Sequence, residues 1–314
     1  MSKPLVVIAI GGNSLISDSN HRTVADQYHA AGETSSHIAH IVKHGYRVVV
    51  SHGNGPQVGF ILLRSELAKD FLHRVPLEVC VADTQGAIGY QVAQTLRNEL
   101  HRLQVDQAVV AIVTQVIVDP EDDAFQNPSK PIGPFMTKDE AEKHVSDVGW
   151  TVREDAGRGW RRVVASPVPL EIVELPTIRT LLAQDTLVIA GGGGGIPVVR
   201  LADGSLQGIP AVIDKDKATS LMATELGASI FVLSTGVEKI ALHFGQPHET
   251  WLDSMTLREA KAYLDEGHFA PGSMLPKMEA AITFLENGGE KVIVTSPESL
   301  ERALRGETGT RITP

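Results

Sequence analysis

Lys215 stands between Asp214 and Asp216 at the head of DKATSLMATEL, a stretch that reads as the start of a helix. Just upstream, the apolar run LVIA strikes five consecutive glycines, Gly191 to Gly195. A strand that ends in glycines lets backbone N–H groups come close to a ligand, because no Cβ intervenes and positive φ is allowed. A cation held between two carboxylates beside such a loop is a way to place charge around a migrating phosphoryl group. An ordinary glycine pair would be read as a turn with surface charges. Five glycines followed by Asp-Lys-Asp favour an anion site.

Two further glycine turns follow strand-like runs. Leu5 to Ile10 stops at Gly11, Gly12 and Asn13, and Arg47 to Ser51 runs into HGNGPQVG. Pro56 suits a helix first turn, which would aim the N–H groups near Asn54 and Gly55 at a negative ligand. Between these turns the spacing predicts a helix from Ala25 to His44, stopped by Gly45, and another from Asp83 to Leu103. Gln107 to Val118 is almost continuous Val, Ile, Ala and Thr, as expected of one strand buried on both faces of a parallel sheet. Leu170 to Ala183 reads as helix and Ser229 to Leu233 as strand. Thr256 is placed to cap a helix to about Glu266, and Lys277 falls in the first turn of another that Gly288 ends. Lys291 to Thr295 reads as strand, and Ser296 with Pro297 starts a short helix. Strands alternating with helices point to an α/β fold with crossover connections.

The rhythm breaks at Asp119. The following segment is rich in proline, charge and tryptophan, and a structureless loop of that length would be unusual, so it reads as a subdomain inserted over the site. Prolines on both sides of Lys130 stiffen its backbone, as a lid requires. Arg161 and Arg162 read more simply as solvated strand-edge residues.

The 314 residues carry 42% hydrophobic and 21% charged side chains and a formal net charge of −10. That balance fits a globular chain and argues against a general nucleic-acid binder, so an anionic substrate must be met by local positive charge. Cys80 is the single cysteine, which excludes an intramolecular disulfide and favours a reducing compartment. The N-terminal apolar run is too short to span a membrane, and a cytoplasmic protein is expected. There is no GxxxxGK[ST], no dinucleotide fingerprint, no HExxH among the twelve histidines, no calcium loop and no GxSxG.

Together the motifs resemble those of carbamate kinases, in the amino acid kinase family. The likeness runs through AIGGNSL (9–15), SHGNGPQVG (51–59), QNPSKPIGPF (126–135), GRGWRRVVASP (157–167), GGGGIPV (192–198), AVIDKD (211–216) and GSMLPKMEA (272–280). Sibling kinases acting on N-acetylglutamate, glutamate or UMP usually carry a lysine two places before the first glycine pair, where this chain has Ala9. The resemblance implies a three-layer αβα sandwich with a mostly parallel central sheet, a single domain over 1–314 with an inserted lid over 119–166 and a nucleotide-binding half over 179–314, and a homodimer. It implies reversible phosphoryl transfer between carbamoyl phosphate and ADP, giving ATP and carbamate. Mg²⁺ would be held mainly by the nucleotide phosphates, and the reaction often ends arginine, citrulline or purine-derived nitrogen breakdown. By this likeness Lys215, Lys277, Asp216 and Lys130 are catalytic, and Gly11, Gly12, Asn13, Gly53, Asn54 and Gly55 bind the substrate. Asp214, Ser234, Thr235, Gly236, Val237 and Met274 bind the nucleotide.

Two departures stand out. Where many relatives read TDVD, this chain has Thr235, Gly236, Val237 and Glu238, which bears on the adenosine end, and Ala165 replaces a proline common in relatives. His52 invites a general-base role that such kinases do not need, so it is read as a packing or hydrogen-bonding residue. The competing readings are a sibling kinase with another acid acceptor and a non-catalytic sensor of nucleotide or carbamoyl phosphate. Ala9 and the lid speak against the first, and three retained lysines against the second.

Overall fold

The computed structural model describes residues 3–11, 23–154 and 159–314. Its first half runs β1 (Leu5–Ile10), α1 (Val24–Lys43), β2 (Arg47–His52), α2 (Gly55–Leu67), α3 (Leu77–Arg102), β3 (Val109–Ala111) and β4 (Gln115–Ile117). Next come β5 (Lys130–Met136), α4 (Lys138–Val148), β6 (Val152–Glu154), β7 (Trp160–Val164), β8 (Glu171–Ile172), α5 (Leu175–Ala183) and β9 (Leu187–Ile189). The second half contains β10 (Ile196–Arg200), β11 (Leu206–Gly208), α6 (Lys215–Glu225), β12 (Ile230–Ser234), β13 (Ile240–Leu242), β14 (Thr250–Leu252) and β15 (Ser254–Thr256). It closes with α7 (Leu257–Asp265), α8 (Met274–Glu286), β16 (Lys291–Thr295), α9 (Leu300–Leu304) and β17 (Thr310–Thr313).

Eight strands form the central sheet in the order β15-β17-β16-β12-β1-β2-β9-β3. All neighbours run parallel except β16 and β17. Alternation along each strand feeds two cores. Val7, Ala9, Phe231 and Leu233 face α5, α6 and α8, where Ile178, Met222 and Phe284 meet them. Val6, Ile8, Ile230 and Val232 face α1, α3 and α9 through Ile38, Ile88 and Leu300. Strands covered on both faces by helices make a three-layer αβα sandwich, and burial on both faces explains why β1 is apolar at every position. Among the described residues no helix is long and apolar enough to cross a membrane.

The segment after Asp119 builds its own three-stranded antiparallel sheet, β5-β7-β6, with α4 beside it. Thr137 opens α4 with a reciprocal capping box to Glu140, and Gly149 ends it in the left-handed conformation. The small sheet rests on α2 and α3 through a third apolar cluster that joins Ile132 and Val164 to Val58 and Val81.

Three expectations are corrected. Gln107 to Val118 is not one strand: β3 is the partly exposed edge of the central sheet, while β4 belongs to a second sheet, β11-β10-β4-β8. The break is at Thr114, whose hydroxyl donates to Ile112 O and whose N–H is taken by Gln85 Oε1. Such local side-chain bonds offer the backbone an alternative to the ladder. The helix expected from Asp83 starts earlier, at Leu77 after Pro76. Leu170 to Ala183 is not helix throughout, because β8 precedes α5.

Candidate active site

In a parallel sheet the strands deliver their carboxyl ends to one edge, and ligands collect where the connections diverge to either side. Here that point lies around β1, which has β12 on one side and β2 on the other. The loops after those strands, at Gly11, at Gly53 to Gly55 and at Ser234 to Gly236, line one cleft of about 360 Å³. β1 and β12 approach closely there: a Cβ on Gly11 would lie 3.0 Å from Ser234 O.

The helices opposite supply the charge. Asp214 is the N-cap of α6 and accepts from the N–H groups of Asp216 at 2.9 Å and Lys217 at 3.3 Å, which fixes the first turn. That turn holds Lys215 Nζ 2.5 Å from Asp216 Oδ1, and the first turn of α8 brings Lys277 Nζ to 2.8 Å from Asp216 Oδ2. One carboxylate therefore binds two ammonium groups from separate helices. All three side chains are buried, Asp216 to 4% exposure and each lysine to 12%. Burial pushes the Asp216 carboxyl up, but Lys215 and Lys277 together outweigh it and hold the group ionised, well below the usual carboxylate range. Burial lowers Lys215 to about 8 against the pull of Asp216, with Lys277 adding to the depression. For Lys277 burial acts downward too, and Asp216 overcomes it to leave the ammonium above its ordinary range.

Lys130, on the first residue of β5, reaches the same cleft and lies 2.5 Å from Asp214 Oδ2. Burial and, less strongly, Asp216 push Asp214 up, and Lys130 with Lys215 outweighs them, so the carboxyl sits below its ordinary value. This pairing of the N-cap with Lys130 has no signal in the sequence, since 84 residues separate the partners.

Gly11, Gly53, Asn54, Gly55, Lys130, Asp214, Lys215, Asp216, Ser234, Thr235, Gly236 and Lys277 all line this cleft. Thr235, Gly236, Val237 and Met274 line a second cleft of about 670 Å³ with His243, Trp251 and Phe269; it shares Thr235, Gly236 and Ser273 with the first. Gly12 and Asn13 lie outside the described residues. Two members of the expected cradle are already engaged. Gly53 donates its N–H to Ile10 O, and Asn54 Nδ2 donates to Thr84 Oγ1. Pro131, Ile132, Val212 and Pro276 also line the cleft, and their apolar character gave no functional signal.

The five glycines also form a packing junction. A Cβ on Gly192, Gly193, Gly194 or Gly195 would come within 2.4 Å of His52, Asn54, Ile213 or Val116 respectively, so the run is where four elements close on one another. Only Gly193 reaches the cleft. Gly191, Gly194 and Gly195 spend their N–H groups on Thr114 Oγ1, Gly191 O and Gly192 O. His52 is packed against that run. Burial and, less strongly, Lys215 lower it to about 4 although Gly53 O opposes the shift, so the imidazole is neutral. Arg161 and Arg162 do not line the first cleft: Arg161 Nε donates to Gly133 O, and the Arg162 guanidinium lies 4.8 Å from the centre of the Trp150 ring.

The amino acid kinase family model matches residues 4–296, and the chain belongs to that family. It is 50% identical to the carbamate kinase-like protein YahI of Escherichia coli, over 99% of each chain. It is 47% identical to the carbamate kinase of Pyrococcus horikoshii, over 98% of this chain and 99% of that one. Among solved structures, the carbamate kinase of Giardia lamblia bound to AMP-PNP superposes with a TM-score of 0.92 at 43% identity, covering 99% of this chain and 98% of that one.

Proposed function

We propose that the chain is a carbamate kinase, a phosphotransferase that moves a phosphoryl group reversibly between carbamoyl phosphate and ADP. The observation that carries this reading is one buried carboxylate, Asp216, holding the ammonium groups of Lys215 and Lys277 in a cleft lined by glycine turns. Full-length similarity to chains named carbamate kinase supports it.

The bond from phosphorus to the carbamate oxygen breaks with its electron pair left on carbamate, and a terminal oxygen of ADP forms the new bond. The charges of carbamoyl phosphate and ADP sum to those of carbamate and ATP, so no proton need move and no protein base is required. A neutral His52 is consistent with that. What the protein must supply is positioning and positive charge, because the migrating group carries spread negative charge in a loose transition state. Lys215 and Lys277 flank that group. Asp216 orients both, and Lys130 comes from the lid to close the clamp. Gly11, Gly53, Asn54 and Gly55 face the carbamoyl end, while Ser234, Thr235, Gly236, Val237 and Met274 serve the nucleotide. Both cleft carboxylates are already paired with lysines, which fits a Mg²⁺ carried by the nucleotide phosphates rather than by protein ligands. When bound, the ion neutralises part of the phosphate charge.

In this reading residues 119–166 act as the lid and 179–314 as the nucleotide-binding half, the working unit is a homodimer, and the compartment is the cytoplasm. The test is magnesium-dependent ATP formation from ADP and carbamoyl phosphate, with Lys215→Ala as control and the phosphorylated forms of N-acetylglutamate and glutamate as rival donors. Calorimetric binding of ADP without ATP formation would point to a sensor instead.

A further inference from the structure

The inserted sheet meets α2 at a pair of glycines. On α2, a Cβ at Gly59 would lie 2.2 Å from Gly133 Cα, 2.6 Å from Gly133 N and 3.3 Å from Gly133 C. All three are backbone atoms, so no side-chain rotation could relieve the overlap. Gly133 is itself constrained: its φ is +72°, and its carbonyl accepts from Arg161 Nε at 3.1 Å across the lid sheet. It sits on β5, the strand that begins with Lys130, and Ile132 next to it is buried in the cluster that joins lid to body.

We propose that Gly59 is a positioning residue for Lys130: the absence of a side chain on α2 lets β5 dock at the distance that puts the lid lysine against Asp214 in the phosphate cleft. Nothing local to α2 asks for glycine. Gly59 is inside the helix, where alanine is the better residue, and only the approach of the lid makes a hydrogen the one substituent that fits. The side-chain-free contact also makes the effect directional, since a Cβ on Gly133 would meet only Gly59 Cα, at 3.9 Å. The proposal rests on the phosphoryl-transfer reading for its catalytic consequence but not for the docking itself.

Two measurements on the full chain separate these. In Gly59→Ala, amide hydrogen exchange at 130–136 and 160–164 should speed up while β1, β2 and β12 keep their protection, which reports undocking rather than loss of the fold. Gly32→Ala, on a helix where an added Cβ meets nothing within 4 Å, is the control and should change neither region. In Gly59→Ala kcat for ATP formation should fall by up to, and not beyond, the loss in Lys130→Ala, because misplacing the lysine costs at most what removing it does; about 100-fold is the ceiling for a displacement near 1 Å at a reacting group. Combined with Lys130→Ala, it should cost little more than the larger single effect, because both changes remove the same lysine from the cleft. Unchanged lid exchange in Gly59→Ala would overturn the docking. Faster exchange with an unchanged rate, or a rate loss that simply multiplies with that of Lys130→Ala, would overturn the positioning role. If the unmodified chain makes no ATP, the functional reading fails while the exchange measurement still decides the docking.

Discussion

The Lys215–Asp216–Lys277 cluster and the Lys130–Asp214 pair face the same cleft and are built in different ways. The first is assembled from the opening turns of α6 and α8, two helices that pack on each other and on the central sheet, and its carboxylate is almost wholly enclosed. The second joins a helix cap to a lysine carried on a small antiparallel sheet, and that lysine is 31% exposed. A permanent pair of cations needs a permanent counter-charge, because leaving two ammonium groups buried and unpaired is costly. A cation held on a separate small sheet needs only a parking place, and Asp214, itself 13% exposed, offers one to a lysine that keeps contact with solvent. The difference teaches that, in the proposed reaction, Lys215 and Lys277 would define the centre and Lys130 would complete it.

The contrast is broken most directly at the fixed lysines. Lys215→Ala and Lys277→Ala should each lower kcat by about 100- to 1,000-fold, as for removal of one transition-state donor, in steady-state ATP formation. Near-normal turnover in either variant would remove that lysine from the centre. Asp216→Asn tests the counter-charge. It should cost about 3–5 kcal/mol in denaturant-induced unfolding at neutral pH, where both lysines would be left buried without their anion. Without Asp216 the Lys215 ammonium gives up its proton at lower pH than in the parent, so the penalty should shrink as pH rises towards 8 and level off above it, where Lys215 is deprotonated in both. Lys130→Ala should lower kcat less than either fixed lysine and leave unfolding free energy within about 1 kcal/mol of the parent, the scale of a partly exposed ion pair. A stability loss as large as that of Asp216→Asn would make the two pairs alike.

The gentlest perturbation is pH. Lys215 must be protonated to act and titrates at about 8 in the free protein, so kcat/KM should be level below that value and decline above it, by about tenfold per pH unit. Bound phosphate favours the charged ammonium, so the decline in kcat should be displaced to higher pH. A kcat/KM flat from pH 7 to pH 10 would show that Lys215 is not the titrating cation.

Elements governed by local physics could be read from the chain. The cap at Thr256, the stops at Gly45 and Gly288 and the proline-led start of α2 depend on residues within one turn of one another. So does the seating of Lys215 and Lys277 in helix first turns, which is why those two lysines were legible together with the alternation of strands and helices. What distant segments do to each other was not. The run Gln107 to Val118 is uniformly β-prone, yet a glutamine from α3 breaks it at Thr114. The five glycines advertise backbone freedom, and only the packed molecule shows that His52, Asn54, Ile213 and Val116 consume it.

The amino-acid sequence by itself determined the alternating strands and helices, the turns at the carboxyl ends of the strands and the cations held ready near them, because propensity, capping and periodicity act over a few residues. The tertiary structure alone decided that one carboxylate serves two lysines, that Lys130 rests on a helix cap and that Gly59 on α2 closes on the backbone of Gly133. Those are distances between segments far apart along the chain, fixed only when both cores have closed around the sheet.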